Sequence, residues 1–265
     1  MQYLFSQSGK IKELLIDKFI LLLLDYDGTL TPIVETPKKA LISKDVKELL
    51  QKLSKRSYCK LGIISGRSLQ DLKNIVGIEG VIYVGNHGLE IDGPKIKFES
   101  QVSPRLKSII RNITADMQKL ISGIKGVLIE DKGLTLSVHY RLVEKEDLPA
   151  LEKIIYEVTN PYAVSDKIKV SYGKMVYEIK PSVKWDKGKV TLWLLARQQF
   201  LSGEKNVLPV YIGDDLTDED AFKALKSKGL TIFVGEHGNS KADYYLKNTE
   251  EVIKFLHLIS DLKLN

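Results

Sequence analysis

Short apolar runs recur in the first and last parts of the chain, and segments with helical periodicity separate them. The runs lie at residues 19–25, 61–65, 81–85, 208–213 and 230–234. They are continuously apolar rather than alternating, which is typical of parallel strands buried on both faces. After the candidate N-cap Ser43, apolar residues recur at helical spacing. Thr217 is a second N-cap candidate, because the acidic residues Glu219 and Asp220 follow it and favour a helix start. Strands that alternate with helices predict a doubly wound α/β, Rossmann-like core with a parallel sheet.

The middle of the chain has a different pattern. A helix is predicted to begin at Ser103-Pro104, and the turn at 131–133 predicts a hairpin between strands at 127–130 and 134–141. The second of these strands alternates apolar and polar residues, which predicts one buried face and one exposed face. A further helix near residues 146–158 and two more strands near 167–171 and 176–180 are predicted to follow.

These two patterns divide the chain into domains. Residues 100–178 are predicted to form an α+β domain inserted into the α/β core. The core itself then consists of residues 1–99 and 179–265.

Composition excludes several classes of protein. About 43% of the residues are hydrophobic, and Cys59 is the one cysteine, which suits a reducing compartment such as the cytoplasm. The apolar run at 19–24 is far shorter than the roughly 20 residues that span a bilayer. The net charge of +6 is scattered, with no basic run or aromatic interleaving. We therefore expect a cytoplasmic protein that binds neither membrane nor nucleic acid.

Three predicted strands end in a polar residue. These residues are Asp25, Ser65 and Asp214. Ligands of open α/β sheets bind outside the carboxyl ends of the strands. If the three strands are neighbours, the three side chains converge on one site.

The acidic residues near two of these ends suggest a metal ion. Asp25 and Asp27 are two apart and share a side in extended chain, while Asp214-Asp215 and Asp218 follow another strand. Carboxylates this close repel one another, and a bound cation relieves that repulsion. Clustered hard oxygen ligands favour Mg²⁺.

Four stretches, in order along the chain, resemble the four motifs of the haloacid dehalogenase-like phosphatases. They are Asp25-Tyr26-Asp27-Gly28-Thr29-Leu30-Thr31, Ser65 after Gly62-Ile63-Ile64, Asp186-Lys187-Gly188, and Gly213-Asp214-Asp215 through Asp218.

Further stretches resemble one family within that superfamily, the trehalose-6-phosphate phosphatases. They are Pro32, Ile64-Ser65-Gly66-Arg67-Ser68, Gly85-Asn86-His87-Gly88-Leu89-Glu90, Ser137-Val138-His139-Tyr140-Arg141, and residues 213–222. The resemblance implies that the insert is a cap domain that closes over the sugar. It also implies hydrolysis of trehalose 6-phosphate to trehalose and phosphate, the last step of trehalose biosynthesis.

The resemblance assigns the core residues to roles in Mg²⁺-dependent phosphoryl transfer. Asp25 is the nucleophile that becomes an aspartyl phosphate, and Asp27 is the general acid and base. Ser65 and Lys187 hold the phosphoryl oxygens. The metal ligands are Asp25, the backbone carbonyl of Asp27, and Asp214, with Asp218 orienting Lys187 and Asp215 supporting the ligands. A carboxylate is ionised at pH 7 and can attack phosphorus directly once a cation offsets the repulsion.

Substrate contacts are predicted in both domains. The predicted contacts in the insert are Glu130, Lys132, Arg141, Lys174 and Glu178. Those in the core are Arg67, Asn86 and His87.

Other functions stay open at this point. Related sugar phosphatases act on sucrose phosphate or mannosyl-glycerate phosphate, and a phosphomutase or phosphotransferase uses the same aspartyl phosphate. A non-catalytic sugar-phosphate sensor is a further alternative, but the intact pair Asp25 and Asp27 argues against it. The chain has no N-terminal synthase domain, so we expect any trehalose-phosphate synthase partner to be a separate protein.

Overall fold

The computed structural model describes residues 1–203, 206–236 and 238–262, apart from the side chain of residue 202. These residues divide into two compact units, Met1–Phe98 with Trp185–Asn265, and Glu99–Lys184. The insert predicted from the sequence ended at residue 178. The second unit extends beyond this point because a strand of its sheet covers Val176–Pro181.

The strands, in chain order, are β1 (Gln2–Tyr3), β2 (Phe19–Asp25), β3 (Cys59–Ile64), β4 (Ile82–Gly85), β5 (Glu90–Gly93), β6 (Ile96–Glu99), β7 (Leu128–Asp131), β8 (Leu136–His139), β9 (Ile168–Gly173), β10 (Val176–Pro181), β11 (Val207–Gly213), β12 (Leu230–Val234) and β13 (Tyr244–Leu246). The α-helices are α1 (Ser8–Leu15), α2 (Lys44–Ser54), α3 (Leu69–Val76), α4 (Pro104–Leu120), α5 (Leu148–Val164), α6 (Lys187–Ser202), α7 (Glu219–Leu225) and α8 (Thr249–Ser260). Short 3₁₀ helices cover Leu4–Gln7, Pro37–Lys39 and Asn86–Gly88.

The first unit is built on a sheet with the strand order β1-β13-β12-β11-β2-β3-β4-β5-β6. From β1 through β4 every pair of neighbours is parallel, and β5 runs antiparallel to β4. The predicted parallel core is therefore confirmed. The sequence analysis did not find the outer strands β1, β5, β6 and β13, because runs of two to four residues carry little periodicity.

Helices cover both faces of this sheet, as a doubly wound fold requires. Ile20, Leu22 and Leu24 of β2 pack into a core with α1, α2, α3 and α8. Leu21 and Leu23 point the other way, into a core with α6 and α7. Each of these side chains is fully buried, and burying one contributes about 1.5–3 kcal/mol to stability. The apolar character of both faces therefore holds β2 at the centre of the sheet.

The helix starts predicted at Ser43 and Ser103 are confirmed, and the N-cap predicted at Thr217 is wrong. The Ser43 and Ser103 hydroxyls each accept a hydrogen bond from the backbone N–H three residues later, at 3.3 Å. Thr217 does not cap α7, which begins at Glu219. The Thr217 hydroxyl donates instead to Asp215 Oδ1 at 2.7 Å, because the Asp215 carboxylate folds back over the turn formed by residues 215–218.

The second unit contains an antiparallel sheet with the order β7-β8-β10-β9. Helices α4 and α5 share one apolar core with this sheet, which confirms the predicted α+β insert. The prediction that one face of β8 is exposed is wrong, since Thr135 and Ser137 are both 0% exposed. The Ser137 hydroxyl donates to Glu178 Oε1 of the neighbouring strand at 2.7 Å, so polar side chains on this face bond to one another.

Within the three described ranges, no helix is both long enough and apolar enough to cross a membrane.

Candidate active site

The candidate site lies at the carboxyl ends of the central strands of the first unit. β2 lies between β3 and β11, so the ends of these strands are neighbours. Asp25 is the last residue of β2, while Ser65 and Asp214 directly follow β3 and β11. The three residues are 5%, 1% and 3% exposed. The structure thus brings them to one edge of the sheet, as the sequence analysis expected.

Glycines allow the loops at this edge to approach closely. Gly28 has a φ of +92°, and a Cβ atom there would lie 1.9 Å from Asp214 Oδ2. A Cβ atom at Gly213 would lie 2.2 Å from Asp218 Cγ. Both contacts are far too short for a real side chain. The two glycines therefore leave space that the carboxyl groups of Asp214 and Asp218 fill.

Lys187 connects two of the acidic residues. It is the first residue of α6, and its Nζ donates to Asp25 Oδ1 at 2.8 Å and to Asp218 Oδ1 at 2.7 Å. The three side chains are 2%, 7% and 0% exposed. Burial lowers the pKa of Lys187, but the charges of Asp218 and Asp25 outweigh it and hold that pKa well above its ordinary value. Lys187 is therefore a permanent cation beside the candidate nucleophile.

The Asp218 carboxylate orients both this lysine and the acidic loop. In addition to Lys187, its Oδ1 accepts a hydrogen bond from the Tyr211 hydroxyl at 2.7 Å. Its Oδ2 accepts from the backbone N–H groups of Asp214 at 3.0 Å and Asp215 at 3.1 Å. With both oxygens engaged in this way, Asp218 is better suited to orient its neighbours than to bind a metal ion.

Asp215 is held by its own turn. Its Oδ1 accepts from the backbone N–H of Thr217 at 2.8 Å, from the Thr217 hydroxyl and from the backbone N–H of Asp218. Burial acts to raise the pKa of Asp215, but the Lys187 charge and these hydrogen bonds lower it to about 2. Asp215 is therefore ionised at neutral pH.

The electrostatics of Asp25 favour an added cation. Burial raises its pKa well above the ordinary value, Lys187 opposes that shift, and the charges of Asp218, Asp214 and Asp215 reinforce it. When all five side chains are ionised, four negative charges face the one positive charge of Lys187, which gives a net charge of −3. A cation beside Asp25 stabilises the charged form of the carboxylate, which is the form that can attack.

The residues present fit such an ion. Single carboxylate oxygens of Asp25, Asp214 and Asp218 lie within 4.8 Å of one another. Asp218 accepts four hydrogen bonds at its two oxygens, so an ion bound to that carboxylate would compete with them. Oxygen donors of this kind suit Mg²⁺.

Asp27 and Arg67 form a bidentate ion pair. Arg67 Nε lies 2.8 Å from Asp27 Oδ2, and Arg67 Nη2 lies 2.7 Å from Asp27 Oδ1. The Arg67 side chain is 5% exposed, whereas that of Asp27 is 41% exposed. The backbone N–H of Arg67 also donates to Ser65 Oγ at 3.1 Å. Arg67 thus links the loop after β3 to the loop after β2.

Asn86 and His87 form a buried turn after β4. Both have positive φ values, 48° and 56°, which are uncommon for residues other than glycine. The Asn86 N–H donates to the carbonyl of Arg67, and the His87 N–H donates to that of Ser65 at 3.0 Å. The turn is therefore tied by backbone bonds to the same loop that carries Ser65. Whether either residue contacts substrate stays a prediction.

In the second unit, a charged cluster lies on one face of the antiparallel sheet. Lys132 Nζ is 3.4 Å from Glu178 Oε1 and 3.9 Å from Glu130 Oε2, and its side chain is 4% exposed. His139 Nε2 lies 2.9 Å from Glu130 Oε2. Burial acts to raise the pKa of Glu130, but His139 and Lys132 outweigh it, so this pKa is lowered. The structure thus brings together Glu130, Lys132 and Glu178, which were predicted separately as sugar contacts.

The other two predicted residues of the insert also lie together. Arg141 Nη2 donates to the backbone carbonyl of Lys174 at 2.8 Å. This bond joins the end of β8 to the turn between β9 and β10. Their roles toward substrate stay predictions.

Comparison with known proteins identifies the family. Residues 23–250 match the family model described as trehalose-phosphatase. The chain belongs to the trehalose-phosphatase family. It is 34% identical to trehalose-phosphate phosphatase B of Arabidopsis thaliana over 93% of its own length and 67% of the relative's. It is also 34% identical to trehalose 6-phosphate phosphatase RA3 of Zea mays, over 93% of its own length and 71% of the relative's.

A solved structure supports the fold. The C-terminal domain of the C. albicans trehalose-6-phosphate phosphatase superposes with a TM-score of 0.80, covering 96% of this chain and 97% of the other at 24% identity. The predicted haloacid dehalogenase-like fold and the predicted family are therefore both confirmed.

Sequence analysis missed several side chains of this trehalose-phosphatase chain that form hydrogen bonds with the predicted site residues Asp218, Glu130 and Glu178. Tyr211 was interpreted as part of an apolar strand, yet its buried hydroxyl bonds to Asp218. Ser137 and His139 appeared in the family stretch without a role, and they bond to Glu178 and Glu130. The strict alternation of β8 was the available signal, since it places Ser137 and His139 on the polar face with these carboxylates.

Proposed function

We propose that this chain hydrolyses trehalose 6-phosphate to trehalose and phosphate through an aspartyl phosphate on Asp25. Family membership supports the reaction class. The observation that carries the residue assignment is the buried contact between Asp25 and Lys187, which sits beside Ser65 and Asp214 at adjacent strand ends. A nucleophile next to a fixed cation is what attack on an anionic ester requires.

In the first step, an oxygen of Asp25 attacks phosphorus and the bond from phosphorus to the sugar oxygen breaks. Asp27 donates a proton to the departing oxygen, which leaves as a hydroxyl group. Lys187 and the Ser65 hydroxyl stabilise the charge on the transferring phosphoryl oxygens.

In the second step, water attacks the phosphorus of the aspartyl phosphate while Asp27 accepts a proton from that water. The bond between phosphorus and the Asp25 oxygen breaks, so phosphate leaves and the Asp25 carboxylate is restored. Asp27 ends the cycle protonated, ready for the next first step.

Mg²⁺ is the proposed cofactor, held by Asp25, Asp214 and the backbone carbonyl of Asp27. When bound, it offsets the repulsion between carboxylate and phosphate. The excess of negative charge around Asp25 and the close packing of Gly28 against Asp214 support this proposal.

The second unit is proposed to act as a cap that selects the sugar. Glu130, Lys132 and Glu178 offer a carboxylate–ammonium cluster, and such groups hydrogen-bond well to sugar hydroxyls. The cytoplasmic location and the separate synthase partner stay predictions.

The test is phosphate release by the purified protein from a panel of phosphate esters, before and after EDTA treatment. We expect the highest kcat/KM with trehalose 6-phosphate, loss of activity on chelation, and recovery with Mg²⁺. Ca²⁺ should restore activity poorly, because its larger and looser coordination shell misplaces the phosphate. A preference for sucrose phosphate or mannosyl-glycerate phosphate would refute the proposed substrate, and full activity after metal removal would refute the proposed cofactor.

A further inference from the structure

The Arg67 guanidinium makes more hydrogen bonds to protein acceptors than we would expect of an arginine whose role is to bind substrate. Within the described part of the chain, four of the five N–H groups of the Arg67 guanidinium donate to protein acceptors. Two go to Asp27, one to Asp71 Oδ2 at 2.8 Å and one to the carbonyl of Pro37 at 2.7 Å. Most of the hydrogen-bond donors of the Arg67 guanidinium are thus already bonded to acceptors within the protein.

The packing around Arg67 fixes the direction in which Nε and Nη2 of its guanidinium point. The guanidinium carbon lies 5.2 Å from the centre of the Tyr26 ring, and Arg67 as a whole is 5% exposed. The Tyr26 hydroxyl in turn donates to the carbonyl of Ala40 at 2.8 Å. Arg67 therefore has a single well-defined position, whereas the half-exposed Asp27 would otherwise choose among several rotamers.

We propose that Arg67 is a positioning residue that holds the Asp27 carboxylate in place for the second step of the reaction. This inference rests on the proposed function. In the phosphorylated enzyme Asp27 is a carboxylate, and a bidentate bridge to a fixed guanidinium gives that carboxylate one orientation.

An ester with a good leaving group separates the two steps. The phenolate of p-nitrophenyl phosphate leaves with little protonation, so the first step depends weakly on Asp27. The second step still needs Asp27 to accept a proton from water. Loss of Arg67 should therefore slow the second step more than the first, and the phosphorylated enzyme should accumulate.

The experiment compares wild type with Arg67→Ala and Arg67→Lys on p-nitrophenyl phosphate. The phosphorylated fraction at steady state is measured by rapid acid quench and intact-mass spectrometry, alongside kcat and KM. For Arg67→Ala we expect kcat to fall about tenfold to a hundredfold, which is part of what a positioned acid–base group contributes. KM should change little, and the phosphorylated fraction should become the major form. Arg67→Lys should give an intermediate result, because an ammonium can still donate one bond to Asp27.

Both variants are expected to fold. The side chains of Asp27 and Asp71 are 41% and 42% exposed, so removal of the arginine leaves neither carboxylate buried without a counter-charge. Arg56→Ala is a matched control, since it removes a partly buried arginine that donates to the carbonyl of Ser260 at 2.9 Å, on a different part of the unit. It should leave kcat, KM and the phosphorylated fraction unchanged.

Four outcomes would overturn this inference. A raised KM without accumulation in Arg67→Ala would make Arg67 a substrate contact, as the sequence analysis predicted. A lower kcat with an unchanged phosphorylated fraction would mean a purely structural role. If wild type hydrolyses no ester and forms no phosphoenzyme, the proposed function fails and this inference fails with it. If wild type is active and Asp27→Asn accumulates the phosphoenzyme while Arg67→Ala does not, only the inference fails.

Discussion

The two units of the protein assemble their charged clusters in different ways. In the first unit, Asp25, Lys187 and Asp218 come from separate segments that meet at the ends of parallel strands. In the second unit, Glu130 lies on β7 and Glu178 on β10, the two strands that flank β8 and run antiparallel to it, and their partners lie on β8 or its turn. The first arrangement depends on the tertiary fold, whereas the second follows largely from strand alternation.

The charge balance of the two clusters also differs. The cluster around Asp25 has three more negative than positive charges when all its groups are ionised, and all of its members except the half-buried Asp215 are at most 5% exposed. The cluster around Lys132 has two carboxylates against one ammonium and the His139 ring, and Glu130 is 25% exposed. A strong excess of negative charge in a buried site favours the binding of a cation, as the proposed phosphoryl transfer requires. A nearly balanced, partly open cluster is suited to recognising neutral hydroxyl groups.

The largest effect is expected from the nucleophile. Asp25→Asn keeps the shape of the side chain but removes the attacking charge, so kcat should fall at least about a thousandfold on trehalose 6-phosphate and p-nitrophenyl phosphate alike. The control Asp45→Asn, on the exposed first turn of α2, should behave like wild type. Near-normal turnover in a folded Asp25→Asn protein would rule out the covalent mechanism.

Lys187 should matter for both stability and activity. Lys187→Met leaves the buried carboxylates of Asp25 and Asp218 without their shared cation, which should cost about 3–5 kcal/mol in the free energy of unfolding. It should also lower kcat roughly a hundredfold or more, because a donor to the developing charge is lost. Urea denaturation and steady-state assays measure the two effects.

Lys52→Met provides the comparison for that experiment. Lys52 pairs with Asp261 at 3.1 Å, but the two side chains are 50% and 67% exposed, so water replaces the lost partner. Its unfolding curve should match that of wild type. If both lysine variants unfold alike, the buried contact of Lys187 with Asp25 does not stabilise the first unit.

The smallest and most selective effect is expected in the second unit. Glu130→Ala and Glu178→Ala should each lower kcat/KM for trehalose 6-phosphate about tenfold to a hundredfold, since a charged hydrogen bond is worth roughly 1.5–3 kcal/mol. Hydrolysis of p-nitrophenyl phosphate, which has no sugar hydroxyls, should hardly change. The ratio of the two kcat/KM values is the measurement.

Glu157→Ala is the control for this pair. It removes a carboxylate from α5 whose side chain is 59% exposed, and the ratio should stay at the wild-type value. Equal losses on both esters in the Glu130 and Glu178 variants would point to damaged folding. No loss on either ester would mean that the sugar is recognised elsewhere.

Local patterns in the sequence were sufficient to predict the central strands, and the family resemblance supplied the candidate nucleophile. β2 was predicted with the same bounds that it has in the structure. Its side chains point alternately into two apolar layers, so the strand appears in the sequence as a continuous apolar run. The order of the four motifs then singled out Asp25, Ser65, Lys187 and Asp214. The antiparallel face carrying Glu130 and Glu178 also had a periodic signal, although the burial of Thr135 and Ser137 contradicted the expected exposure.

The partners of these residues were decided by the tertiary structure alone. Arg67 and Asp27 are forty positions apart, and they meet because β3 pairs with β2. Tyr211 is one more apolar-looking residue in its strand, and only the position of the Asp218 turn gives its hydroxyl an acceptor. Hydrophobic periodicity is a local property that fixes which face of an element is buried. A hydrogen bond depends on the distance between two atoms, and for residues far apart in the chain that distance is set by how the strands and helices pack.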